Sequence, residues 1–337
     1  MQTLFNYVLF LAETITVVVA VLVILGFIIG KAAQPDANEK GKITVKRLNK
    51  YYRQLKAKIE TELLSKTERK QHQALEKKQA KSDKKSPQAK PSLFIIDFDG
   101  DMRASAVSAL REEVTAILLV AKPEDEVCVR LESPGGMVPH YGLATAQLNR
   151  LKQAELRITV CVDKVAASGG YMMAAVAHRI VAAPFAIIGS IGVVLQLPNF
   201  NRFLDKNAID FEQLTAGEYK RTLTMFGQNT DEGREKMQSD INLTHDLFKQ
   251  HIHDHRPQVD LEIVATGEHW FASQAIEHQL VDTLFTSDEY LMQQRDQYDL
   301  VQISYKIKTS KIKQLTSQVV SRLINHRLCR QLIYKDL

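Results

Sequence analysis

Arg157-Ile158-Thr159-Val160-Cys161-Val162 leads, after two polar residues, into Val165-Ala166-Ala167-Ser168-Gly169-Gly170-Tyr171-Met172-Met173-Ala174-Ala175. The first run is β-branched and apolar and reads as a buried strand. The second turns to small and apolar residues and reads as a buried helix that opens at Ser168. A strand feeding a buried helix is the unit of a parallel α/β sheet. Ser168 therefore falls at a helix N-terminus, where backbone N–H groups lack partners. The plain reading of such a serine is an N-cap. The chemical reading is a nucleophile, since Gly169 and Gly170 keep its approach free of Cβ atoms.

Working outward, Glu126-Val127-Cys128-Val129-Arg130-Leu131 is a second strand-like run, and it ends in Ser133-Pro134-Gly135-Gly136. Pro-Gly-Gly is a turn signal. It also presents bare backbone amides of the kind that hold a developing oxyanion. Downstream, Asp210 to Thr215 reads as a strand and is followed by Gly217-Glu218-Tyr219-Lys220-Arg221. A lysine there is ordinarily a solvated surface charge. Yet the histidines cluster late, at His245, His251, His253 and His255, on a polar helix read over residues 233–254, so no Ser–His triad is evident. A serine nucleophile without histidine needs another base, and a desolvated lysine can serve.

These motifs in this order, Ser133-Pro134-Gly135-Gly136, Ala167-Ser168-Gly169-Gly170-Tyr171, Gly189-Ser190-Ile191-Gly192-Val193 and Gly217-Glu218-Tyr219-Lys220, resemble the SppA/SohB family of membrane serine peptidases. The resemblance runs from about Leu93 to Leu284. It implies a ClpP/crotonase-like α/β fold with a mostly parallel sheet and a Ser–Lys dyad. By position it makes Ser168 the nucleophile and Lys220 the general base. It makes the N–H groups of Gly136 and Gly169 the oxyanion donors, with Gly135 beside the first. Gly189, Ile191 and Val193 become a strand edging the substrate groove, where a peptide can add as a further strand. It also implies a homo-oligomer in which serine and lysine can come from adjacent subunits.

Composition sets the surroundings. The chain has 337 residues, 45% of them hydrophobic, enough for one substantial core. Cys128, Cys161 and Cys329 make no disulfide framework, and no metal-ligand or phosphate-loop spacing is present, so no cofactor and no metal are expected. From Thr14 to Gly30 there is no charge, and the apolar run reaches back to Val8 with only Glu13 intervening. That is long enough for a single-pass transmembrane helix, retained because no Lys or Arg precedes it as a signal peptide would require.

Residues 31–90 then carry 18 Lys+Arg against 7 Asp+Glu, whereas residues 91–337 carry 26 against 31. By the positive-inside rule Lys31, Lys40, Lys42, Lys46 and Arg47 put the remainder on the cytoplasmic side of an inner membrane. The resemblance implies a periplasmic catalytic domain, and both sides stay open. Leu48, Tyr52, Leu55, Ile59 and Leu63 mark an amphipathic helix for a copy of itself or for anionic lipid; a solvated spacer is the alternative. Nucleic acid is discounted for want of interleaved aromatics. The organisation read from sequence is an anchor over 1–30, a basic helix and flexible linker over 31–91, the peptidase domain over 92–290 and a basic extension over 291–337. The apolar stretch 171–197 is read as core rather than a second span, and His251 to His255 as surface.

The function expected is a membrane-anchored endopeptidase acting on remnant signal peptides or on misfolded membrane and exported segments. Two alternatives stand: a crotonase-type acyl-transfer enzyme, which has no use for Ser168 and Lys220, and a catalytically silent peptide-binding scaffold.

Overall fold

Period-two alternation splits the apolar residues of the strands between two faces, and both faces are buried. The structure, a computed structural model, describes residues 41–65 and 90–306 together with residues 14, 16, 17 and 68. It opens with β1 (Lys42–Arg47) and α1 (Leu48–Leu63), then β2 (Ser92–Asp99), α2 (Val107–Leu118), β3 (Glu126–Glu132), α3 (Val138–Gln153) and β4 (Arg157–Val162). Next come β5 (Val165–Ala167), α4 (Gly169–Ala175), β6 (Arg179–Ala182), β7 (Ile187–Gly189), α5 (Asn201–Lys206) and α6 (Asp231–His255). The last elements are α7 (Leu261–Val264), β8 (His269–Phe271), α8 (Ala272–Ala275), β9 (Thr283–Leu284), α9 (Ser287–Gln294) and β10 (Asp299–Lys306).

Seven strands form one sheet in the order β1-β10-β2-β3-β4-β6-β9, and every pairing from β10 to β9 is parallel. Phe94, Ile96 and Phe98 point to the larger core with Leu110, Val114 and Ile117 of α2 and Leu148 and Leu151 of α3. Leu93 and Ile95 point the other way, with Cys128, Cys161 and Val181, under Leu48 of α1 and Tyr290 and Leu291 of α9. Burial on both faces is why these strands are continuous Val/Ile runs. A smaller sheet, β5-β7-β8, stands beside the first, joined to it by a parallel bridge between Ser133 and Ala166.

The folded unit exceeds the expected 92–290. Asn49 of α1 donates to the carbonyls of Arg295 and Tyr298 and accepts from the Leu300 N–H at 2.6 Å. With β1 and β10 both in the large sheet and Leu48 of α1 packed on it, the folded unit takes in residues 43–63 and 299–305. Residues 210–215 form no strand. Among the described residues no helix is long and apolar enough to cross a membrane. The expected anchor over 1–30 apart from residues 14, 16 and 17, nearly all of the linker after residue 65 and the basic extension after residue 306 lie outside them.

Candidate active site

Two chain segments leave the C-terminal ends of neighbouring strands and meet, the usual place for a site in a parallel α/β sheet. From β3 comes Ser133-Pro134-Gly135-Gly136; from β5 comes Ser168. The Ser133 N–H donates to the Val165 carbonyl at 2.8 Å and the Ala167 N–H to the Ser133 carbonyl at 3.0 Å, which zips the two together. Gly135 has φ +90, and a Cβ there would lie 2.7 Å from the Ser168 Cβ. Only glycine serves at that contact.

Ser168 itself has φ +53 and ψ −121, a conformation a non-glycine residue rarely holds, and its side chain makes no capping bond to α4. The N-cap reading of this serine is thereby set aside. Its backbone is over-determined instead: its N–H donates to the Gly189 carbonyl at 2.8 Å, and its carbonyl accepts from Met172 at 2.9 Å. Strain of this sort persists only where surrounding contacts enforce it.

Ser168 lines a small pocket with Gly136, Val138, Gly169, Met172, Gly192, Val193, Thr244 and Phe248. Gly169, as first residue of α4, has an N–H with no partner inside the helix. The Gly135 N–H is taken by the Ser133 hydroxyl at 3.1 Å. No described residue accepts from the Gly136 N–H, so of the two neighbours Gly136 is the one with a free donor.

Of the sequence-derived residues, the fold therefore gathers Ser168, Gly135, Gly136, Gly169 and Val193. Gly189 supports Ser168 through its carbonyl. Ile191 is buried in the core rather than on a groove, and β7 ends at Gly189, so Ile191 and Val193 are not on a strand. Ser190 has φ +52, which takes the chain out of extended conformation there, while its N–H still donates to the Glu268 carbonyl at 2.6 Å. Val138, Met172, Gly192, Thr244 and Phe248 were missed. The last two come from α6, more than seventy residues beyond Ser168, with no local signal.

Lys220 lies elsewhere. It is exposed, in a turn closed by its N–H to the Gly217 carbonyl at 3.2 Å. Neighbouring Tyr219 sits 5.6 Å from the Lys236 ammonium on α6. Thr244, the first α6 residue of the pocket, is two turns further on, about 12 Å along the helix. Lys220 does not line the pocket beside Ser168, and among the described residues no hydrogen bond or ion pair joins the two. The segment that carries it, 194–226, is an arm folded on itself: Phe200 stacks on Phe226, and Asn199 donates to the carbonyls of Thr224 and Gly227. Its apolar side chains face outward, Leu214 being 96% and Phe203 64% exposed. Only the first part of the apolar stretch 171–197 is core, since Val194, Leu195 and Leu197 are exposed.

The late histidines are not a bare surface cluster either. His251 bonds the Met172 carbonyl at 2.9 Å, and His255 bonds Asn149 at 3.1 Å, which fixes α6 against α3 and α4. Burial depresses both imidazoles below the usual histidine range, so they work as neutral hydrogen-bonding groups. Among the described residues no cluster of side chains suits a metal ion.

A parallel α/β protein with a strained serine beside free amides has the parts of a hydrolase that works through a nucleophile. The description "Peptidase family S49 N-terminal" matches residues 2–148, and "Peptidase family S49" matches residues 150–300. A "Probable protease SohB" of Haemophilus influenzae is 44% identical over 332 residues, covering 95% of this chain and 94% of that one. A second, of Buchnera aphidicola subsp. Acyrthosiphon pisum, is 46% identical over 336 residues, 100% and 99% of the two chains. The chain belongs to peptidase family S49, among its SohB members, and so to a family of proteases. Among solved structures it is similar to a membrane-bound stomatin-specific protease in complex with a substrate peptide, at TM-score 0.44 and 13% identity over 69% of this chain and 99% of that one.

Proposed function

We propose that this chain is a membrane-anchored serine endopeptidase with a ClpP/crotonase-like catalytic fold, in which Ser168 is the nucleophile and Lys220 the base. The observation that carries the reading is Ser168: a strained serine whose hydroxyl caps nothing, beside the free N–H groups of Gly136 and Gly169. In the reaction Lys220 takes the Ser168 Oγ proton as Oγ attacks the peptide carbonyl. The two glycine N–H groups hold the resulting oxyanion. The lysine then gives its proton to the leaving amine, and water, deprotonated by the same lysine, hydrolyses the acyl-enzyme. Nothing in these steps calls for a metal or a cofactor.

An exposed arm holding Lys220 away from its own chain's Ser168 supports pairing between subunits, each Ser168 served by Lys220 of the partner subunit. The outward apolar residues of the arm are then the surface that the neighbouring copy covers. The pocket beside Ser168, walled by Val138, Met172, Val193 and Phe248, suits a small or apolar side chain. Substrates of that kind are the remnant signal peptides and misfolded membrane or exported segments that a protease anchored in the inner membrane by residues 1–30 would meet.

Subunit mixing tests the reading. Ser168→Ala and Lys220→Ala proteins, each inactive alone, should regain part of the wild-type peptidase activity when unfolded and reassembled together. A mixture as inactive as its components would rule out pairing between subunits. Peptide cleavage by Ser168→Ala alone would remove the serine mechanism altogether.

A further inference from the structure

Tyr141 is among the largest fully buried side chains, yet it has a polar tip and no part in the chemistry above. Its hydroxyl donates to the Asp101 carbonyl at 2.8 Å and lies 2.6 Å from the Ser133 hydroxyl. A phenol has one proton. With that proton on the Asp101 carbonyl, the 2.6 Å contact requires Ser133 Oγ–H to donate to Tyr141 Oη. The remaining lone pairs of Ser133 Oγ accept the Gly135 N–H at 3.1 Å. All four groups thus form a one-directional chain: Gly135 N–H to Ser133 Oγ–H to Tyr141 Oη–H to the Asp101 carbonyl. Chains with every donor pointing the same way reinforce one another. Burial also raises the Tyr141 pKa, which keeps the phenol protonated as the chain needs.

The other end of Tyr141 touches the second donor. A Cβ on Gly169 would fall 2.5 Å from the Tyr141 ring, so the ring lies directly against the Gly169 α-carbon. One side chain therefore bears on both segments beside Ser168: its ring packs against Gly169, and its hydroxyl, through Ser133, holds the Gly135 N–H in the turn that leads to Gly136. The Met137 N–H, bonded to the Met102 carbonyl at 2.9 Å, pins the far side of that peptide run.

We propose that the Tyr141–Ser133 hydroxyl pair is the positioning device of the oxyanion hole, holding the Gly136 N–H at the distance and angle that the tetrahedral intermediate needs. The proposal rests on Ser168 chemistry, because an oxyanion hole has meaning only beside that nucleophile. It explains why the turn before Gly135-Gly136 carries a buried serine. It also explains why the first turn of α3 carries a tyrosine where phenylalanine would pack equally well.

The test is Tyr141→Phe and Ser133→Ala in the full-length, assembled enzyme. It reads kcat and KM on a peptide, inhibition by a peptide boronate, which mimics the oxyanion adduct, and the fraction of chains labelled by a fluorophosphonate. Removing an oxyanion donor outright costs a hundredfold or more, so misplacing one should lower kcat about 10- to 100-fold. KM should stay within about twofold, boronate affinity should fall in parallel with kcat, and labelling should still reach one per chain. The double variant should be no worse than either single one, since both break one chain. Wild-type kcat and boronate affinity in Tyr141→Phe would overturn the positioning role. So would a loss explained wholly by fewer labelled chains, which is what plain destabilisation gives, or by a rise in KM at unchanged kcat, which is lost ground-state binding. Failure of the underlying reading looks different: there, cleavage by the wild-type background would survive Ser168→Ala.

Discussion

Ser168 and Lys220 occupy opposite kinds of structure. Ser168 is held from every side: its N–H and carbonyl are bonded, Gly135 packs against its Cβ, and its flanking strand and helix are buried. Lys220 sits on a self-folded arm whose aromatic and aliphatic side chains meet water. α6 spans the two regions. Its C-terminal end is clamped where Arg256, almost fully buried, donates twice to Asp282 at 2.8 Å and once to the Gln279 carbonyl at 2.7 Å. Its N-terminal end, capped by Thr230 and charged by Asp231 and Glu232, runs out beside the arm. Ser168 is preorganised within one chain, and in the proposed reading the site is completed by Lys220 of a second copy.

The sharpest way to break the contrast is at its two ends. Ser168→Ala should cut turnover by about 10⁴-fold or more and leave the melting temperature nearly unchanged, because the hydroxyl packs against no core. Lys220→Ala should lose activity to a similar degree, and Lys220→Arg should not restore it, since guanidinium does not give up its proton. Kinetics beside thermal melts of each variant separate chemistry from folding. Charging the arm instead, with Phe203→Asp, should yield a folded protein with unchanged secondary structure, a smaller assembly by light scattering and activity reduced about tenfold or more. An assembly of unaltered size and activity would show that the outward arm is no interface.

Smaller effects probe the ordered half. Arg256→Met leaves Asp282 without its buried partner and should destabilise the protein by about 3 kcal/mol in denaturant unfolding. Burial raises the Glu113 carboxyl from 4.5 to about 7, while it accepts the Tyr305 N–H at 2.7 Å. The native state therefore holds a proton that the unfolded chain has released above about pH 4.5. The stability this gives is full below that pH and lost as pH rises through about 7. Glu113→Gln, which keeps an acceptor and never ionises, should remove that loss and be about 1 kcal/mol more stable than wild type at pH 8. A wild-type stability curve that is flat from pH 5 to 8 would contradict it.

What the sequence disclosed divides along the same line. The strands around Leu93, Glu126 and Arg157 are legible because burial on two faces forces Val/Ile runs, and Ser168 because strand, serine and glycines fall in register. Residues 210–215 carry apolar residues at Phe211 and Leu214 that suggest a strand, but no free sheet edge receives them, and Phe211 packs on Phe226 within the arm. Gly189 to Val193 has strand composition, and the strand stops where Ser190 takes φ +52. Thr244 and Phe248 reach the pocket through the packing of α6, which no local pattern records. The same holds for β10, which inserts between β1 and β2 from the far end of the chain. Tyr141 was invisible for a further reason: in sequence it is one more apolar residue at helical spacing, and only its hydroxyl partners set it apart.

The most direct measurement is fluorophosphonate labelling of the detergent-purified full-length protein, read by intact mass, with Ser168→Ala and Lys220→Ala in parallel. One adduct per chain on wild type, absent from both variants, is the predicted result. An adduct that survives Ser168→Ala, or a wild-type protein that neither labels nor cleaves peptide in its assembled form, would contradict the account.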